Sequence, residues 1–159
     1  MTESRSVPGL EVQYAVDADD LPTLQEFEHW VEAALQQAGN TAELTIRVVD
    51  EAEGRQLNAQ YRDIDRATNV LSFPFEAPPG IEPDYLGDLV ICAPVVRREA
   101  QQQRKAEKHH WAHMVVHGVL HLRGYDHRFD TQAEEMETLE KQILAGMGIQ
   151  DPYQTDVAV

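Results

Sequence analysis

The chain has 159 residues, 42% of them hydrophobic, with one cysteine and a formal net charge of −15. That length suits one globular domain with its own core, and it excludes both a disordered chain and a pair of ordinary domains. Cys92, being alone, excludes an intramolecular disulfide and a cysteine-based zinc finger and points to a reducing compartment, while 28 acidic against 13 basic residues exclude a protein that coats nucleic acid by bulk charge.

Residues Leu10 to Val16 alternate loosely and predict a short strand. Pro22 and Thr23 open a helix whose apolar positions Leu24, Phe27, Trp30, Val31, Ala34 and Leu35 recur every three or four residues, and Gly39-Asn40 ends it. Leu44 to Val49 is a β-branched run that predicts a strand. Glu51 to Tyr61 predicts a helix with Leu57 and Tyr61 toward the core. Val70 to Phe75 predicts a strand that Pro74 assigns to a sheet edge. Tyr85 to Ala93 predicts another strand, and Pro94 starts a helix running to about Lys108. Helical patterns follow over Trp111 to Leu122 and Thr131 to Ala145, the second carrying Met136, Leu139, Ile143 and Leu144 as its apolar stripe. The expected fold is α+β: one mixed sheet of about four strands covered by four to five helices, residues 1–150 forming one domain and residues 151–159 a flexible tail. The first ten residues lack the apolar segment of a secretory signal. The longest apolar run, Leu89 to Val96, is far short of the about 20 residues that cross a bilayer. A cytoplasmic protein without a membrane partner is expected.

His109, His113, His117 and His121 are each four apart and stack along one helix face. Two of them at i and i+4 can share one metal ion. Three in a row cannot, because the outer pair would be about 12 Å apart along the axis. A third ligand must come from elsewhere, and Gly124 is placed to end the helix in a left-handed turn and let the chain bring His127 back. His117, His121 and His127 would leave an ion one open coordination position, the arrangement of a catalytic zinc. His29, His109 and His110 read as solvated helix-face residues, and His113 as a surface residue with a supporting role as the second choice. The spacing is similar to that of the metzincin proteases, but their general-base glutamate is replaced by Gly118, which counts against peptide hydrolysis.

The segment H-G-V-L-H-L-R-G-Y-D-H, His117 to His127, resembles the signature of the YbeY-type endoribonucleases, also called rRNA maturation factors. L-N-A-Q-Y-R (Leu57 to Arg62), T-N-V-L-S-F-P-F (Thr68 to Phe75) and G-D-L-V-I-C (Gly87 to Cys92) are similar to further motifs of that family, with Asn69 standing where aspartate is expected. The resemblance spans roughly residues 44 to 145. It implies a metal-dependent endoribonuclease specific for single-stranded RNA, acting in maturation of the small-subunit rRNA 3′ end and in ribosome quality control. It implies one Zn2+ on His117, His121 and His127, a role for Arg62 in RNA cleavage, and partners in the ribosomal small subunit and its assembly factors, but not DNA. Phosphodiester cleavage builds negative charge on oxygen, which a zinc ion and the planar fork of Arg62 can both meet. Eleven of the 13 basic residues lie between Arg47 and Arg128, so a local basic cleft formed by Arg62, Arg66, the metal and the helix carrying Arg97, Arg98, Arg104, Lys105 and Lys108 is expected on an acidic body. The alternative is a ribosome-assembly binding factor whose zinc is mainly structural.

Overall fold

The computed structural model describes residues 10–17, 20–36, 43–75, 78–80, 85–124 and 130–153. The elements run β1 (Leu10–Tyr14), α1 (Leu24–Gln36), β2 (Glu43–Val49), α2 (Glu51–Arg62), β3 (Val70–Pro74), β4 (Tyr85–Cys92), α3 (Ala93–Gln102), α4 (Glu107–Leu122) and α5 (Asp130–Gly146). The four strands form one mixed sheet in the order β1-β2-β4-β3. β1 and β4 run parallel to β2, and β3 runs antiparallel to β4. β3 therefore lies at an edge, as Pro74 requires, since a proline cannot donate to a central ladder.

Alternation along the strands sorts the two faces. Leu10, Val12, Leu44, Ile46, Val48, Leu89 and Ile91 enter one core with Phe27, Trp30 and Val31 of α1 and with Trp111, Val115, Val116 and Val119 of α4. Val49, Leu71, Val90 and Cys92 enter a smaller cluster on the opposite face, where α2 contributes Leu57. α2 is capped by Asp50, whose side chain accepts from Glu53 N at 2.8 Å. Its far end stops at Asp63 in a left-handed conformation.

α4 is the central helix, and its path depends on Gly118. A Cβ at that position would lie 2.7 Å from Leu89 Cδ2, so only glycine lets the helix approach β4 this closely. The helix runs to Leu122, and Gly124, at φ +104°, follows it in the expected left-handed region.

Three expectations need correction. Tyr61 does not face the core; its ring is half-exposed, packed edge-on against Phe73. The helix begun at Pro94 stops at Gln102 rather than Lys108. The chain turns there with Arg104 at φ 56°, and α4 starts earlier than expected, at Glu107. No glycine or proline marks that break, so periodicity alone runs through it. His110 is buried, not solvated, and His113 is buried too. Both face acidic partners that lie far away in sequence.

Candidate metal centre

α4 is apolar on nearly every side, and its histidine row is turned toward α5. There it meets Glu140, a fully buried carboxylate. His113 Nε2 lies 2.8 Å from Glu140 Oε1, and His117 Nδ1 lies 2.9 Å from Oε2. Tyr153 Oη donates to Oε1 at 2.6 Å.

Burial alone would raise the Glu140 carboxyl, but hydrogen bonds from His113 and His117 outweigh it and hold the group at about 2. It is therefore ionised at neutral pH. An ionised carboxylate only accepts, so all three neighbours must donate. That fixes the protons: His113 carries its hydrogen on Nε2 and His117 on Nδ1. Burial also pushes His113 below the usual histidine range, which keeps it neutral. Its Nδ1 is buried without a hydrogen-bond partner, as suits a ring nitrogen bearing no proton. The Tyr153 hydroxyl is raised above the usual phenol range by burial and by the adjacent Glu140 charge.

With Nδ1 of His117 committed to Glu140, a metal held by His117 is reached through Nε2. A carboxylate that orients a ligating imidazole in this way is a recurring support for zinc. The ring of His121, one turn on, stands 4.9 Å from that of His117, centroid to centroid. The donor set therefore fits a borderline-soft divalent cation. His113, His117 and Glu140 themselves present ligand atoms within 4.8 Å of one another and could hold an ion, with the protons on His113 Nε2 and His117 Nδ1 shifted to the other ring nitrogens. His127 and Asp126 lie outside the described residues.

Arg62 ends α2. Its Nη2 donates to Ser72 O of β3 at 2.7 Å, and the guanidinium stands 5.1 Å over the Phe73 ring. It thus sits on the outer edge of β3, the strand against which α4 also packs. Beside it, on the face of the sheet opposite α4, a groove of about 600 Å³ is lined by residues including Arg47, Leu57, Tyr61, Phe73 and Tyr85.

The sequence matches the family model described as Endoribonuclease YbeY over residues 13–148. It is 61% identical over 152 residues to the Endoribonuclease YbeY of Alkalilimnicola ehrlichii, covering 92% of each chain. The chain belongs to the YbeY endoribonuclease family. The solution structure of TM1509 from Thermotoga maritima shares the fold, with a TM-score of 0.58 over 90% of this chain and 99% of that one, at 24% identity.

Around the histidines of this YbeY family member stand residues that sequence reasoning passed over. Glu140 interrupts the stripe Met136, Leu139, Ile143, Leu144 of α5, and a lone acid in an apolar stripe was the available signal for it. Tyr153 had no such signal. It belongs to a segment expected to be loose, yet Lys105 Nζ donates to Pro152 O at 2.8 Å and Tyr153 N to Asp151 Oδ1 at 2.9 Å. A second acid–histidine pair, with only its histidine buried, flanks the first. Glu99 Oε1 lies 2.9 Å from His110 Nε2 and accepts from Asn69 Nδ2 at 3.1 Å. Three of the basic residues expected to form a cleft are matched by carboxylates: Arg97 pairs with Glu107, Arg98 with Glu51, and Lys108 with Glu26. Among the described residues no helix is long and apolar enough to cross a membrane.

Proposed function

We propose that this chain is a zinc-dependent endoribonuclease for single-stranded RNA, acting in cytoplasmic rRNA maturation at the small-subunit 3′ end and in ribosome quality control. The single observation that carries the metal assignment is the buried Glu140 carboxylate on His117 Nδ1, beside His121. It leaves the His117 ring as a proton-fixed ligand pointing its lone pair away from the carboxylate. His117, His121 and His127 hold the ion. When bound, zinc supplies Lewis acidity toward phosphoryl oxygen and lowers the pKa of water.

The protein's own part is placement. Glu140 fixes the His117 ring and its tautomer. Arg62, exposed at the β3 edge, offers its guanidinium fork to phosphate oxygens, exchanging its hold on Ser72 O for the substrate. Tyr61 and Phe75, both half-exposed, offer rings on which unpaired bases stack. That suits a single strand better than a duplex, whose bases are already stacked. With Arg47, Arg55, Arg97 and Arg98 paired to carboxylates and a net charge of −15, the body gives little general attraction to RNA. Delivery to the target then falls to protein contacts on the ribosomal small subunit.

His121→Ala tests the reading. Three quantities are measured on protein purified without a histidine-tag column: zinc by elemental analysis, thermal unfolding, and cleavage of a single-stranded RNA. Loss of zinc and of cleavage with the fold intact supports catalysis. Collapse of the fold favours a ribosome-assembly factor with a structural zinc. Cleavage at the wild-type rate sinks the assignment. The same measurements on His113→Ala separate this site from one built on His113, His117 and Glu140.

A further inference from the structure

We infer that the segment Asp151-Pro152-Tyr153 is a strap that positions the metal centre, acting through the hydroxyl of Tyr153 on Glu140. The inference rests on the zinc assignment above and extends it to residues outside the ligand set. Tyr153 is a positioning residue in this scheme; it touches neither RNA nor metal.

The path of the strap can be followed atom by atom. α5 ends with Met147 N and Ile149 N both donating to Leu144 O, at 3.0 and 2.9 Å, and Gly148 takes a left-handed φ of +77°. This turn reverses the chain toward α4, with Ile149 packed on the core. Lys105 Nζ then grips Pro152 O, and Lys141 Nζ stands 3.9 Å from Asp151 Oδ2. The ring of Tyr153 lands edge-on against His113, centroids 5.4 Å apart, and its hydroxyl reaches Glu140 Oε1. Oε1 thus accepts from Tyr153 and His113 together, while Oε2 is left to His117.

That division matters chemically. A carboxylate has freedom to rotate about its last torsion. With two donors on one oxygen, from two different elements, the plane of Glu140 is set before His117 is considered. The third hydrogen bond then sets the plane of the His117 ring. Removing the Tyr153 hydroxyl leaves the apolar contact with His113 in place and releases only this constraint.

The test uses the full-length chain and Tyr153→Phe, with Zn2+ alone as probe. Zn2+ affinity is read by competition with a chromophoric chelator, the visible absorption bands of the Co2+-loaded protein report ligand geometry, and thermal unfolding reports the fold. We expect Zn2+ affinity to fall about 3–10-fold, less than the about 10–100-fold typical of a direct partner of a ligand, with altered Co2+ bands and a little-changed unfolding temperature. Lys105→Met, which loosens the strap without touching Glu140, should shift both readouts in the same direction by less, and it answers the question should Tyr153→Phe fail to fold. Wild-type Zn2+ affinity and Co2+ bands in a folded Tyr153→Phe overturn the strap while leaving the zinc assignment standing. A wild-type chain that binds no Zn2+ overturns both.

Discussion

Glu140 Oε2 and His117 Nδ1 meet at 2.9 Å across the interface of α5 and α4, and the carboxylate is wholly enclosed there. The contact links a helix packed into the core to a ring at the edge of solvent. It makes the α4–α5 packing and the candidate metal centre one structure. A change at Glu140 is therefore expected to move metal binding and stability together.

The two substitutions that separate these effects are Glu140→Ala and Glu140→Gln. Alanine leaves the buried His113 N–H without an acceptor, a loss of about 1–3 kcal/mol from that group alone. Glutamine keeps the volume and one acceptor but presents an NH2 to a ring nitrogen, so one histidine must change tautomer. Glu140→Gln should fold, with metal affinity reduced about 10–100-fold. Denaturant unfolding and metal competition measure the two quantities, and an unaltered affinity in Glu140→Gln would show that the carboxylate does not orient His117.

Much of this arrangement was legible from the residues. The strands and helices fall where alternation and three-to-four periodicity put them, because burial of Leu44, Ile46, Phe27 and Trp111 decides those segments. His117 and His121 come together because four residues is a helical turn. What was not legible lies in contacts distant in sequence. Nothing local ties Glu99 to His110, or Glu140 to His113, so two buried histidines read as solvated ones. Three residues of the expected basic cleft are neutralised in the same way. Arg98 is paired with Glu51, 47 residues away, and a charge count along the chain does not see the pairing. Tyr61 misled because an amphipathic reading of α2 does not reveal that part of the sheet face beneath it is open.

Gly118 tests the packing and the chemistry at once. It occupies the place of the metzincin general base, but that side of α4 lies on Leu89 rather than on the histidine row. Gly118→Ala should cost about 1–3 kcal/mol through overpacking, read as a lowered denaturant midpoint. Gly118→Glu should not create a peptidase. It forces a carboxylate into the core and should leave the protein largely unfolded by circular dichroism. A folded Gly118→Glu variant would contradict the close approach of α4 to β4.

Arg62 is exposed, and its hydrogen bonds go to backbone carbonyls of Tyr61 and Ser72. Replacing it should leave stability within about 1 kcal/mol of wild type, because no buried group loses a partner. Cleavage should respond far more. Arg62→Ala is expected to lose on the order of 10²-fold in kcat/KM, the scale of one removed donor to a developing oxyanion. Arg62→Lys should recover only a minor part, since an ammonium cannot make the two-point contact. Equal rates for lysine and arginine would show that charge alone, not the planar fork, is what RNA meets there.

Asn69 gives the last prediction, and its sign follows from Glu99. Burial tends to raise the Glu99 carboxyl, but hydrogen bonds from His110 and Asn69 more than offset this and hold it below the usual glutamate value of 4.5. A carboxyl depressed in the folded state contributes stability that is fully present above its unfolded value and is lost as pH falls through the folded one. Wild-type stability should therefore decline below about pH 4.5 in part through this group. Asn69→Asp reverses the interaction. The amide that donates to Glu99 becomes a second carboxylate about 3 Å away, and two such groups cannot both ionise without cost. One of the pair then titrates above its normal range, so the penalty is present at neutral pH and shrinks as pH falls and a proton is shared. Denaturant midpoints of wild type and Asn69→Asp, measured from pH 8 to pH 4, should converge toward the acid end. A gap that stays constant or widens on acidification would show that Asn69 does not hold Glu99 in its ionised form.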